Sequence, residues 1–128
     1  GAEIGVHDPY VDHWYELENQ EDYPSKGHSW SRFFRNQDEL SHIRVQKKLP
    51  EALSGVEAVI LAVPHAEYLE LRPEDVVAWA GGPIAVIDCF GILSDGAIRR
   101  YFELGCEVKA LGRGHIQRIK DEVRKKGR

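Results

Sequence analysis

Apolar residues in this chain come in short runs, and amphipathic or polar stretches separate them. Glu3-Ile4-Gly5-Val6-His7 breaks at Asp8-Pro9 and reads as a short strand. Ile43-Arg44-Val45-Gln46 is a weaker strand signal. Glu57 to Val63 is an almost unbroken apolar run, the pattern of a strand covered on both faces. Pro83 to Ile87 is another run and ends at Asp88, while Cys106 to Leu111 alternates like an edge strand. Helical stretches lie between these runs. Leu49 to Leu53 is a short one before the Ser54-Gly55 stop. Arg72 to Trp79 carries Pro73 in its first turn and stops at Gly81-Gly82. Ser94 to Leu104 has Ser94 as N-cap, an apolar stripe of Ile98, Tyr101 and Phe102, and Gly105 as its stop. A last helix, His115 to Lys126, gathers cations near its C-terminal end, where the helix dipole favours them.

The β-α-β-α-β rhythm predicts a three-layer parallel α/β domain of about five strands, with helices on both faces. The chain of 128 residues is sized for a single domain, residues 1–128. The segment from Val11 to His42 breaks the rhythm. It is long, polar and aromatic, with Trp14, Tyr15, Tyr23, Trp30, Phe33 and Phe34 and no clean period. Long irregular insertions are often functional loops or lids. So many aromatic rings need packing partners, which favours a partly helical excursion covering one side of the sheet.

Composition removes several function classes. The chain is 42% hydrophobic and 30% charged, as a globular domain is. No apolar run approaches about 18 residues, so no membrane span is expected. The two cysteines, Cys89 and Cys106, suit a reducing compartment, and the cytoplasm is the expected location. Net charge is −4, but acidic residues fill the start and basic ones the end, from Arg113 to Arg128. No aromatic residues interleave with that basic stretch, so nucleic acid is not an expected partner. His7, Asp8, Asp12 and His13 invite a metal reading. However, adjacent strand residues point to opposite faces, and the spacing matches no zinc pattern. No G-x-S-x-G elbow is present, and no base is evident for Cys89. No G-x-G-x-x-G follows the first strand and no Walker A motif occurs, so the domain itself is not expected to hold a dinucleotide or ATP pyrophosphate in the usual way.

In an open parallel sheet, ligands bind beyond the carboxyl ends of the strands. Four segments fall there: Asp8-Pro9-Tyr10-Val11, Pro64 to Tyr68, Asp88-Cys89-Phe90-Gly91 and Gly112-Arg113-Gly114-His115. Arg113 between glycines suits an anion such as phosphate, or else a tight turn with an exposed side chain. His65 suits hydrogen bonding to a ligand or acid–base work, or else capping of the next helix. Asp88 has the same two readings, ligand contact or an Asx turn.

These segments, taken in order, resemble the C-terminal domain of the UDP-glucose/GDP-mannose dehydrogenase family. Asp8-Pro9-Tyr10-Val11 resembles its "v.DPyv" loop, and Leu49 to Tyr68 its "leeAl.gaDavvl.t.H.ef" segment. Val86-Ile87-Asp88 with Gly91-Ile92-Leu93 resembles "viDtRgil", and Gly105 with Leu111 to Gly114 resembles "G..y.giGrG". The flavour is closest to members that act on UDP-N-acetylmannosamine. The resemblance implies a Rossmann-like domain that binds a UDP-sugar through Asp8, Tyr10, His65, Asp88, Phe90 and Arg113. It implies an NAD-dependent parent enzyme that oxidises a UDP-hexose C6 alcohol to a uronic acid, as in polysaccharide biosynthesis. NAD, the catalytic Cys and the catalytic Lys belong to N-terminal and central domains outside the matched region, so Cys89 takes no catalytic role and these residues alone are expected to be inactive.

Two departures stand out. Phe90 falls where the family has Arg, which bears on substrate type or affinity. The family's first strand has no counterpart before Glu3, and the chain starts Gly-Ala with no Met anywhere, which reads as a truncated domain. Its strands would then take the flavodoxin-like order 2-1-3-4-5, or a second copy would fill the gap in a homo-oligomer. A stand-alone, non-catalytic binding or regulatory module is the alternative reading. An unrelated small α/β hydrolase or metal enzyme is a distant third.

Overall fold

A computed structural model describes residues 1–11 and 44–127. The expected insertion at 11–42 therefore lies, but for Val11, outside the described residues. Strands β1 (Val6–His7), β2 (Val45–Gln46), β3 (Ala58–Leu61), β4 (Ala85–Asp88) and β5 (Glu107–Ala110) occur with helices α1 (Leu49–Leu53), α2 (Ala66–Leu69), α3 (Pro73–Ala80), α4 (Asp95–Glu103) and α5 (Ile116–Lys126). The chain divides into two units, Gly1–Ala52 and Leu53–Arg128.

In the first unit β1 and β2 pair in parallel, Val6 with Val45 and His7 with Gln46. The Asp8 amide extends the ladder by donating to the Gln46 carbonyl at 3.3 Å. His7 Nε2 donates to the Lys47 carbonyl at 3.1 Å. The first strand is shorter than its sequence pattern suggested, and Pro9, which has no amide hydrogen to give, lies just beyond it.

In the second unit β3, β4 and β5 form a parallel sheet in that order. Val59, Val86 and Val108 stand in register across it. Each chain step moves to the same side, so right-handed crossovers place α3 and α4 on one face. There α4 packs between α3 and α5. Ile98, Tyr101 and Phe102 of α4 are buried, with Val76 of α3 and Ile116 and Ile119 of α5. Burying each such aliphatic side chain is worth about 1.5–3 kcal/mol. Arg100 Nε bonds Glu74 Oε1 at 2.6 Å between α4 and α3, and Arg99 Nη2 bonds Glu122 Oε2 at 2.7 Å between α4 and α5.

The parallel α/β, Rossmann-like reading holds; of the expected order 2-1-3-4-5, the 2-1 and 3-4-5 neighbours are found, in two separate sheets, and the 1-3 pairing is not found among the described strands. The unbroken apolar run of β3 does not reflect burial on both faces. Leu61 is buried, but Ile60 is 62% exposed and Ala58 is exposed. The helices of this unit stack on the Val59 face, so the alternate positions are left uncovered by them. Glycine ends α3 as expected: Gly81 takes the left-handed conformation, φ 87°, and its amide bonds back to Val77 and Ala78.

Candidate functional site

The carboxyl ends of β3, β4 and β5 open onto one edge of the sheet of the second unit. Sheet order puts the loop after β4 in the middle, flanked by the loops after β3 and β5. The middle loop is organised by Asp88, which is 0% exposed. Its Oδ1 accepts from the amides of Phe90 and Ile92, both at 3.1 Å. Its Oδ2 accepts from the amide of Leu93 at 3.0 Å. Burial pushes the carboxyl pKa up, but the amides of Leu93, Ile92, Phe90 and Gly91 together outweigh it and hold the group below its ordinary value. Asp88 is therefore an ionised anchor whose oxygens are taken up by the loop, which is the Asx-type reading of this residue.

The loop that Asp88 ties down carries Phe90, which is 59% exposed. An exposed phenyl ring on a tied-down loop is a surface for stacking or apolar contact. Leu111, on the neighbouring loop, is 75% exposed. The Leu111 amide donates to the Asp88 carbonyl at 3.4 Å, and the Cys89 amide to the Leu61 carbonyl at 3.0 Å, so the ladder runs on past the strand ends.

Arg113 reaches back from the loop after β5, and its Nη1 donates to the Leu93 carbonyl. A guanidinium has five N–H donors in a planar fork. One is spent on Leu93, and the rest suit an anion, with the geometry already set. Next to it His115 Nε2 and Asp95 Oδ1 pair at 2.8 Å, linking the first turns of α5 and α4. That contact, with Arg113 and Arg118 nearby, holds the Asp95 carboxyl below its ordinary value. Ser94 caps α4 as expected, its Oγ accepting from the Ala97 amide at 3.1 Å.

His65 sits at the N-cap position of α2, and its side chain makes no cap bond. Its carbonyl accepts from the Tyr68 amide at 2.9 Å, and its ring lies 5.5 Å from the Tyr68 ring. In the first unit Asp8 Oδ1 accepts from the amides of Tyr10 at 2.7 Å and Val11 at 2.9 Å, closing a turn that leaves Tyr10 73% exposed.

The family model for the UDP-glucose/GDP-mannose dehydrogenase family, UDP binding domain, matches residues 1–95. The chain belongs to this family. No curated protein matches it, and neither does any solved structure. The UDP-binding-domain match takes in Asp8, Tyr10, His65, Asp88 and Phe90 and stops at the first residue of α4. Arg113 lies past it, so its place at the site rests on its bond to Leu93.

Of the six expected site residues, the structure joins Asp88, Phe90 and Arg113 through one loop. His65 stands on the flanking loop, and Asp8 and Tyr10 belong to the first unit. Sequence reasoning missed the Leu93 carbonyl and the Asp95–His115 pair. Both join residues 20 positions apart; the strand ends placed the two loops at one edge, but nothing in the sequence signalled these bonds. No cluster of three or more His, Cys, Asp or Glu residues suits a metal among the described residues. The turn after β1 does not fit a dinucleotide, because it is Asp-Pro-Tyr with its carboxylate turned onto its own amides.

Proposed function

We propose that this chain is the UDP-sugar-binding domain of an NAD-dependent nucleotide-sugar 6-dehydrogenase. Its part is to hold UDP and the sugar while the parent's other domains bind NAD and oxidise the C6 alcohol to a carboxylate. In the second unit His65, Phe90 and Arg113 are the contact positions, with Arg113 on the diphosphate, and in the first unit the contact positions are Asp8 and Tyr10. Asp88 is among the site residues but serves from beneath the loop. The observation that carries this reading is the match to a UDP-binding domain over residues 1–95, which includes the loop that carries Phe90. Arg113, aimed by that loop, supports it. The parent acts in the cytoplasm in polysaccharide biosynthesis, as a homo-oligomer, and resembles enzymes acting on UDP-N-acetylmannosamine.

Calorimetric titration with UDP, UDP-sugars and NAD tests this. UDP and a UDP-sugar are expected to bind, with no turnover by these residues alone. Tight NAD binding without a response to UDP refutes it, and so does oxidation of a UDP-sugar by the isolated chain. Phe90, where the family has Arg, favours a second reading, a non-catalytic binding or regulatory module derived from the same domain. On that reading the chain binds UDP but supports no oxidation when supplied with the catalytic domains of a relative.

A further inference from the structure

The deepest polar group at the site edge is the Asp88 carboxylate, and every bond it makes goes to the loop that holds Leu93. Leu93 is fixed from three directions. Its side chain is buried, its amide donates to Asp88 Oδ2 at 3.0 Å, and its carbonyl accepts from Arg113 Nη1. Ser94 then starts α4, which keeps the peptide after Leu93 from turning away. The carbonyl that Arg113 bonds is thus held at a place set by a buried charge.

We infer that Asp88 is a positioning residue for anion recognition, acting through the Leu93 backbone to orient the Arg113 guanidinium. This deepens the proposed function and rests on its assignment of Arg113 to the phosphates. Asp88→Asn separates the role from simple burial. The amide oxygen can still accept from Phe90 and Ile92, but the amide nitrogen presents a donor to the Leu93 N–H. The Leu93 end of the loop is released while size and packing are kept.

The test is titration of wild-type chain, Asp88→Asn, Arg113→Ala and the double variant with UDP and with uridine. Arg113→Ala is expected to weaken UDP about tenfold or more and uridine less than about twofold. Asp88→Asn should weaken UDP at least about threefold, spare uridine, and add nothing further in the Arg113→Ala background. Multiplicative losses in the double variant, or equal loss of UDP and uridine in Asp88→Asn, overturn the inference. Failure of the wild-type chain to bind UDP, or no effect of Arg113→Ala, overturns the underlying site reading and the inference with it. An arm independent of the Asp88 variant uses the wild-type chain alone. NMR of the Arg113 guanidinium should show slowed rotation about its Cζ–Nη bonds before ligand is added, and free averaging contradicts the coupling.

Discussion

Asp88→Ala is the perturbation that most sharply tests how the middle loop is built. The carboxylate is 0% exposed and accepts from three amides, two part-buried and one, that of Leu93, buried. Hydrogen bonds to a charged group contribute about 1.5–3 kcal/mol each, and a buried donor left unpaired costs about 1–3 kcal/mol. Water can reach the part-buried amides of Phe90 and Ile92 once the loop loosens, so they recover part of their loss. The Leu93 amide cannot recover as easily. A total of about 3–5 kcal/mol follows, a large share of the about 5–15 kcal/mol that holds a domain folded. Urea unfolding followed by circular dichroism measures it, with an unchanged m value confirming that the compared states are the same. The pH dependence has a definite sign. A carboxyl held below its ordinary value in the folded chain contributes stability that is present above that ordinary value. The contribution is lost as pH falls through the lower folded value. The difference between wild type and Asp88→Ala should therefore be full near neutrality and shrink in acid. A loss below about 1 kcal/mol at neutral pH, or a difference that grows in acid, refutes the reasoning.

Other outcomes follow from the same structure. Ile98→Ala empties a fully buried site on α4 and should cost about 2–5 kcal/mol by urea unfolding. Ile60→Lys, on the uncovered face of β3, should change stability by less than about 0.5 kcal/mol in the isolated chain. His115→Ala removes the partner that holds the Asp95 carboxyl low, so an NMR titration should show that carboxyl rising toward its ordinary value.

Most of the second unit was legible because its signals are local. The runs Glu57 to Val63, Pro83 to Ile87 and Cys106 to Leu111 each overlap a strand of the parallel sheet, and Gly81 and Gly105, both at positive φ, mark helix stops. α2 was not legible, because a single turn from Ala66 to Leu69 is too short to show a period. The exposure of Ile60 was hidden for another reason. An apolar residue in a strand reads as buried whether or not a layer covers it, and coverage depends on the direction of the crossovers. At the carboxyl edge, residue type singled out Asp88 and Arg113 but left the role of Asp88 open. Ligand contact and loop anchoring call for the same carboxylate at a strand end. The path of the following five residues decides between them, and that path brings the amides of Phe90, Ile92 and Leu93 onto it. The bonds from Arg113 to Leu93 and from His115 to Asp95 span separate loops, and no short-range pattern announces them.

On the proposed function, the carboxyl edge of this domain recognises the UDP part of a nucleotide sugar. Calorimetric titration of the chain with UDP, with NAD run beside it, tests that most directly. Saturable UDP binding that Arg113→Ala weakens, with no comparable response to NAD, is the predicted result. Tight binding of NAD with no response to UDP contradicts it.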